Sequence, residues 1–413
     1  MTKIRNLCTW LLFAGVGLGQ NGATSLQSLI AEARRNNAAI QASEMAVATK
    51  RFGPNQASAL PDTELMAQHF SVGSPRPFAG YSNSDFAYIG FGASQEFPYP
   101  GKRGLRAKVA EHEIAISGAE KNVVGWDVLT GLKLAYFQLA ASQQVIAILE
   151  SSQQIAKQIE EAAEARYRVG QGAQDDVLRA QLQRTKLLNE LSMQRRENAQ
   201  AQAALKALLN RPMGSPDVLA QPLRARQLPA PDTLVRALAE RNPDLQVNAE
   251  QISQDHAAVE LAQREKRPDF GVQYMWQHTA SEFRDYYMAT FSIKLPNRSR
   301  VRAMEGEAQA KLAQAEAEKQ SRLKQMESDL GEQIAIAETA EQQLKVYDDG
   351  LIPQSEAALN AGLAGYSAGK QQYQGLLASF ADTLQLAIER ERTLAEHESA
   401  MARIEGLIGE ELQ

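Results

Sequence analysis

Four stretches of the chain alternate apolar and polar residues with a period of two, and nearly everything between them keeps the three-to-four step of a helix. Tyr287, Ala289, Phe291, Ile293 and Leu295 point one way, and Met288, Thr290, Ser292 and Lys294 the other. Just before them, Phe270, Val272, Tyr274 and Trp276 oppose Gly271, Gln273, Met275 and Gln277. A third stretch sets Ala87, Ile89, Phe91, Ala93 and Phe97 against Tyr88, Gly90, Gly92, Ser94 and Glu96, and a weaker one runs from Glu64 to Val72. Such alternation predicts half-buried strands, either an antiparallel sheet over a soluble core or membrane strands with one lipid face and one lumen face. The strands come as two hairpins only, and no other segment is apolar enough to cover them, which favours the second reading. Ile89, Phe91, Phe270, Val272, Trp276, Phe291 and Ile293 are then lipid-facing. Four strands cannot close a barrel alone; three copies would supply twelve, an allowed even number.

The remainder predicts helix. No proline falls between Gly101 and Val169, and Val128, Leu132, Ala135, Leu139, Ile146 and Leu149 recur at alternating steps of four and three, the seam of a coiled coil. About 65 residues at about 1.5 Å each make a rod of roughly 100 Å. A second long helix is expected from about Arg298 to Ala368, kinked near Pro353. Shorter helices precede each hairpin, Ser25 to Arg51 and Pro231 to Gln263. No run of about 18 apolar residues that would make a spanning helix is expected in the mature chain.

Glycine interrupts both rods in the same way. In "EARYRVGQGAQDDVLRAQL" and "AGLAGYSAGKQQYQGLLASF" one offset relates Tyr167 to Tyr366, Gly170 to Gly369 and Leu178 to Leu377. Nearly the same offset relates "NAAIQ" to "NPDLQ" and "EFP" to "KLP". The chain therefore reads as a duplicated unit: a leader over 1–23, a first repeat over 24–211, a Pro-rich linker over 212–231 and a second repeat over 232–413. Each repeat is helix, hairpin, very long helix, tight turn and returning helix, with Gly170 and Gly369 as the helix-ending residues of positive φ. Tyr167 and Tyr366 are read as packing residues that brace the turns, Trp126 as a coiled-coil packing residue and Trp276 as a membrane-interface residue.

Composition adds the compartment. Lys3 and Arg5, an apolar run from Leu7 to Leu18 and small residues around Ala23 have the order of an export signal, too short to span a bilayer. The only cysteine, Cys8, falls inside it, so the mature chain holds neither a disulfide nor a cysteine metal site. The net charge is −5 before the leader's two cations are lost, and an acidic exported chain is a poor nucleic-acid binder. His69, His112, His256, His278 and His397 are scattered without ligand spacing, and no catalytic cluster or phosphate loop stands out, so neither enzyme nor cofactor is expected. Lys102, Arg103 and Arg106 after the first hairpin, and Arg298, Arg300 and Arg302 after the second, read as solvated cations, or as neighbours of anionic headgroups.

The order of elements, with "RYRVGQGAQDDVLRAQ", "LIPQSEAALNAGLAGYSAGK" and "QEFPYPGKRGLR", resembles the TolC-type outer-membrane factor family over nearly the whole mature chain. The resemblance implies a mainly helical, TolC-like duct: a homotrimer with a twelve-stranded barrel in the outer membrane and a helical tunnel crossing the periplasm. It further implies that the tips dock on a periplasmic adaptor (membrane fusion protein) linked to an inner-membrane pump, here of the resistance-nodulation-division class. Val169, Gly170, Gln171, Gly172, Ala368, Gly369 and Lys370 are then the adaptor contacts. "PGKRGLR" is closest to the branch serving heavy-metal efflux; drug efflux and type I secretion are the alternatives, and a soluble periplasmic coiled-coil scaffold is the rival of another class. Asp175 and Asp176 are pore-gate candidates, since an inward acid on a threefold axis becomes a ring of three carboxylates. Asp176 stands where the family has an acid in the first repeat, whereas Gly375 and Ala378 stand where the best-known member narrows its pore with acids in the second.

Overall fold

A computed structural model describes residues 23–71, 87–279 and 285–412. The leader read over 1–23, Cys8 included, lies outside them apart from Ala23. The first half runs α1 (Leu26–Asn36), α2 (Ala38–Lys50), α3 (Gly53–Ser58), β1 (Glu64–Phe70), β2 (Tyr88–Phe97), α4 (Lys102–Arg168) and α5 (Gln174–Leu208). The second half runs α6 (Pro231–Arg241), α7 (Pro243–Arg264), β3 (Asp269–Thr279), β4 (Asp285–Lys294), α8 (Arg298–Val346), α9 (Ile352–Ser367) and α10 (Tyr373–Ile408). One plan thus occurs twice, short helices, a hairpin, a long rod, a tight turn and a returning helix, with α3 in the first half alone and the rod interrupted in the second.

Where single helices were expected before each hairpin, the structure breaks them at Asn37 and Asn242. Asn37 Oδ1 accepts from the backbone N–H groups of Ala39 (2.9 Å) and Ile40 (3.2 Å), capping α2, while its Nδ2 donates to the Leu208 carbonyl at 2.8 Å. Asn242 Oδ1 accepts from the Leu245 N–H at 2.8 Å and its Nδ2 donates to the Leu407 carbonyl at 2.7 Å. Each asparagine satisfies one helix start and one helix end together. The second rod is interrupted just before Pro353, where a local kink was expected. Pro353 lacks the N–H that an α-helix needs and clashes with the preceding turn. A five-residue π-helical turn, Tyr347–Leu351, absorbs the conflict, and α9 restarts with the proline in its first turn.

Helix α4 carries an 18-residue window of mean hydropathy 1.2, apolar enough by composition to span a membrane, contrary to the expectation from the sequence. More than half of that window is buried against neighbouring helices, and it is core. Leu132, Tyr136 and Leu139 of α4 pack on Leu29 and Ile30 of α1 and on Leu205 of α5. Farther down the rod, Val145, Leu149 and Ile159 meet Leu187 of α5 and Leu376 and Phe380 of α10. Helix α5 packs on α4, α4 on α10, and α10 on α8 and α9, while α7 joins α4 to α8, so α5 and α8–α9 form the two edges of the helical layer.

The linker is pinned across the waist of the molecule. Arg226 donates to Glu398 Oε2 (2.7 Å) and Glu405 Oε1 (2.6 Å), and Lys133 meets Glu405 Oε2 at 2.5 Å. Glu398 is held below the usual carboxylate range: burial opposes its charge, but hydrogen bonding to His397 and the Arg226 guanidinium outweigh it.

Candidate functional site

Two regions at opposite ends of the rod carry the candidate residues. At one end the strands form a single antiparallel sheet in the order β1-β2-β3-β4, leaving β1 and β4 as open edges. The register pairs Phe91 with Trp276, Phe97 with Phe270, Val272 with Phe291, Ile89 with His278 and Phe270 with Ile293. Paired residues share a face, so all seven residues read as lipid-facing lie on one side of the sheet. Aromatic rings tile that side, with Phe91 on Trp276 at 6.3 Å and Phe270 on Phe291 at 6.0 Å between centroids. The opposite face is polar next to the helices, carrying Glu64, Ser94, Glu96, Gln273, Thr290, Ser292 and Lys294 around a concavity, and holds Phe70, Tyr88, Met275, Tyr286 and Met288 toward its far end. Two of its glycines stand where the neighbouring strand comes close: a Cβ on Gly92 would come within 2.8 Å of the Tyr274 carbonyl, and one on Gly271 within 2.5 Å of Ser292 Oγ. Trp276 Nε1 donates to Asp285 Oδ1 at 3.0 Å, near the far end of the strands.

The junction between strand and helix corrects the reading of Lys102 as solvated. It is 1% exposed, and its Nζ lies 2.9 Å from both Glu265 and Asp269. Arg103 donates to the Ser58 carbonyl at 2.6 Å and Arg106 reaches Glu265 at 3.3 Å. Arg298, Arg300 and Arg302 are exposed, as read.

At the other end, α4 and α9 stop in the same turn. Gly170 (φ 74°) and Gly369 (φ 73°) occupy the left-handed region. The Gly170 and Gln171 N–H groups donate to the Tyr167 and Arg166 carbonyls, and the Gly369 and Lys370 N–H groups to those of Tyr366 and Gly365. This pair of bonds is the Schellman motif. Val169, Gly170, Gln171, Ala368, Gly369 and Lys370 are exposed and Gly172 half-buried.

The two turns are tied to each other. Arg166 donates through Nη1 to the Tyr366 carbonyl and through Nη2 to the Gln171 carbonyl (3.0 Å), with its guanidinium 4.7 Å from the Tyr366 ring centre. Tyr366 is 1% exposed, packs edge-on against Tyr373 at 5.7 Å, and donates its hydroxyl to Asp176 Oδ2 at 3.2 Å. Burial, and then the neighbouring Asp176 carboxylate, push the Tyr366 hydroxyl up to about 12; burial, Tyr366 and Asp176 do the same for Tyr373.

The gate candidates therefore separate. Asp176 is half-buried and engaged with the second repeat, while Asp175 is exposed and paired with Arg179 at 2.6 Å. Tyr366 braces the turn as read, but Tyr167 is 47% exposed and does not. Arg166 and Tyr373 were missed. Across the repeats they correspond to Gly365 and Gln174, and since the two halves differ at most positions the sequence carried no signal that would have singled them out. Among the described residues, no group of three His, Cys, Asp or Glu side chains is disposed to hold a metal ion.

Comparison with known proteins bears on this geometry. Residues 29–211 match the family model of outer membrane efflux proteins. No curated protein matches the chain. Among solved structures, the outer membrane protein VceC of Vibrio cholerae superposes with a TM-score of 0.77 at 18% identity, over 94% of this chain and 97% of that one. The MtrE outer membrane channel of Neisseria gonorrhoeae, in its open state, gives 0.77 at 17% identity, over 94% and 89%. CusC, described in terms of transmembrane channel formation, gives 0.78 at 15% identity, over 95% and 96%. The chain has the fold of these channels, a small antiparallel sheet continued by long coiled-coil helices.

Proposed function

We propose that the chain is the outer-membrane duct of a tripartite efflux system, a passive homotrimer that spans the outer membrane by its strands and reaches into the periplasm by its helices. One observation carries this reading. The apolar side of the sheet stands uncovered, with Leu65 83%, Phe91 55%, Tyr287 66% and Phe291 64% exposed, while among the described residues neither edge strand has a partner on its outer side. A face of this kind needs lipid, and open edges need further strands. Strands β2, β3 and β4 have 10, 11 and 10 residues, the length that crosses a bilayer when tilted. The helical layer is unfinished in the same sense: edge helix α5 exposes Leu178, Leu182, Leu188 and Met193, and the other edge exposes Val346 and Leu351. Joining β1 to β4 and α5 to α8–α9 of the next copy completes both layers.

In this reading Val169, Gly170, Gln171, Ala368, Gly369 and Lys370, with the half-buried Gly172, form the rim on which a periplasmic adaptor docks, in series with an inner-membrane pump of the resistance-nodulation-division class. The Tyr366–Asp176 bond ties the inner contact of the two turns and is the gate element; Asp175 is a surface acid. The heavy-metal branch rests on "PGKRGLR", where Gly101, Lys102, Arg103 and Arg106 have structural tasks at the junction, so the motif speaks for geometry more than for cargo. The pump selects what is exported.

Membrane fractionation tests the reading. The mature chain should sediment with outer membranes, need detergent for release, and conduct ions after insertion into planar bilayers. Release by salt alone as a non-conducting protein would overturn it in favour of a soluble scaffold.

A further inference from the structure

We propose that Tyr99, Arg264 and Arg267 form a clasp for the phosphate of an anionic phospholipid headgroup, one outward-facing site per subunit at the rim where the strands give way to helices. The proposal rests on the reading of the sheet as a membrane barrel. Tyr99 follows β2, and its ring stacks on Phe270 at 6.4 Å, which puts it on the apolar side of the sheet, directly below the lipid-type rows. Its backbone N–H donates to Asp269 Oδ1 at 2.7 Å, fixing where the ring stands. Two guanidiniums lie against that ring, Arg264 at 5.8 Å and Arg267 at 5.9 Å from its centre. Gly101 makes room for the first of them, since a Cβ there would stand 2.8 Å from Arg264 Nη2.

The local acids are already engaged. Buried Lys102 takes Asp269 and Glu265, Arg106 shares Glu265, and Lys266 takes Glu305 at 2.8 Å. Arg264 and Arg267, both exposed and three residues apart across the turn that ends α7, are left as surplus positive charge. Guanidinium is the side chain whose planar fork matches phosphate oxygens, and tyrosine is the ring favoured at the boundary between acyl chains and headgroups. Phe270, Tyr99 and the two arginines thus descend in the order of a phospholipid: acyl chain, interface, phosphate. A site continuous with a lipid-type face takes its phosphate from lipid. Two cations without a local acid select a net anionic headgroup over a zwitterionic one.

Native mass spectrometry of the full mature chain extracted in detergent, titrated separately with phosphatidylglycerol and phosphatidylcholine, tests the clasp. At about 1 kcal/mol per basic residue, the R264Q/R267Q variant should bind phosphatidylglycerol roughly 30-fold more weakly. R264K/R267K should keep most of the affinity, and R196Q, an exposed arginine far along α5, should keep all of it. Phosphatidylcholine should bind weakly and alike in all variants. The clasp is overturned if R264Q/R267Q holds phosphatidylglycerol within about twofold of the parent, if the parent holds both lipids equally, or if millimolar inorganic phosphate displaces the lipid. Those results in a particle that still needs detergent would leave the barrel reading standing. Recovery of the parent chain without detergent would overturn the barrel and the clasp together.

Discussion

The two repeats agree in backbone and disagree in the side chains that face each other. Asn37 and Asn242 cap α2 and α7 and bind the carbonyls of Leu208 and Leu407, and Gly170 and Gly369 end their helices at nearly the same φ. Yet Tyr167 is 47% exposed and Tyr366 is 1% exposed. The first repeat supplies Arg166 and Asp176 to the contact between turns, and the second has Gly365 and Gly375 at the corresponding positions and supplies Tyr366 and Tyr373 instead. The two turns share one backbone. Divergence makes one grip the other.

The sharpest way to break that comparison is to truncate both tyrosines. Tyr366→Ala should cost about 3–5 kcal/mol of local stability, as an emptied aromatic site does, while Tyr167→Ala should stay within about 0.5 kcal/mol. Hydrogen exchange over the two turns would show it; equal losses would mean that the repeats pack alike. The two acids come next. Asp176→Ala strands the Tyr366 hydroxyl and should cost about 1–3 kcal/mol, whereas Asp175→Ala, which removes an exposed i,i+4 pair with Arg179, should leave stability unchanged within error. Ion conductance should follow the same order, changing in Asp176→Ala and holding in Asp175→Ala. Where the repeats agree, effects should match: Asn37→Ala and Asn242→Ala should each cost about 1 kcal/mol or somewhat more, read by exchange at the starts of α2 and α7.

Legibility in the sequence followed the range of the forces involved. The strands, their lipid-type face and the glycine turns were readable because period and left-handed backbone are local. The Asn37 and Asn242 breaks were not: helix formers flank both, and the carbonyl that completes each cap lies 171 or 165 residues away. Lys102 looked solvated because its acids, Glu265 and Asp269, are 163 and 167 residues distant. The Tyr366–Asp176 bond spans 190 residues and belongs to neither repeat alone. Repetition in the chain told what the halves share, and only the fold shows what passes between them.

A smaller effect depends on pH. Tyr366 and Tyr373 are held neutral up to about 12, above the ordinary tyrosine value near 10. A raised value means that the folded turn keeps its protons where the unfolded chain loses them, so their contribution is complete below about pH 10 and fades as pH climbs through about 12. Ultraviolet titration should show two late-ionising tyrosines that disappear in the Tyr366→Phe/Tyr373→Phe variant; two ordinary tyrosines in the parent would mean an open, hydrated turn.

The proposed duct requires other copies to finish the sheet. The mass of the particle extracted from outer membranes, measured by native mass spectrometry under mild detergent, addresses that directly. Three chains per particle, with the backbone amides of edge strands β1 and β4 protected from exchange, is the expected result. A single chain with those edges exchanging freely would contradict it.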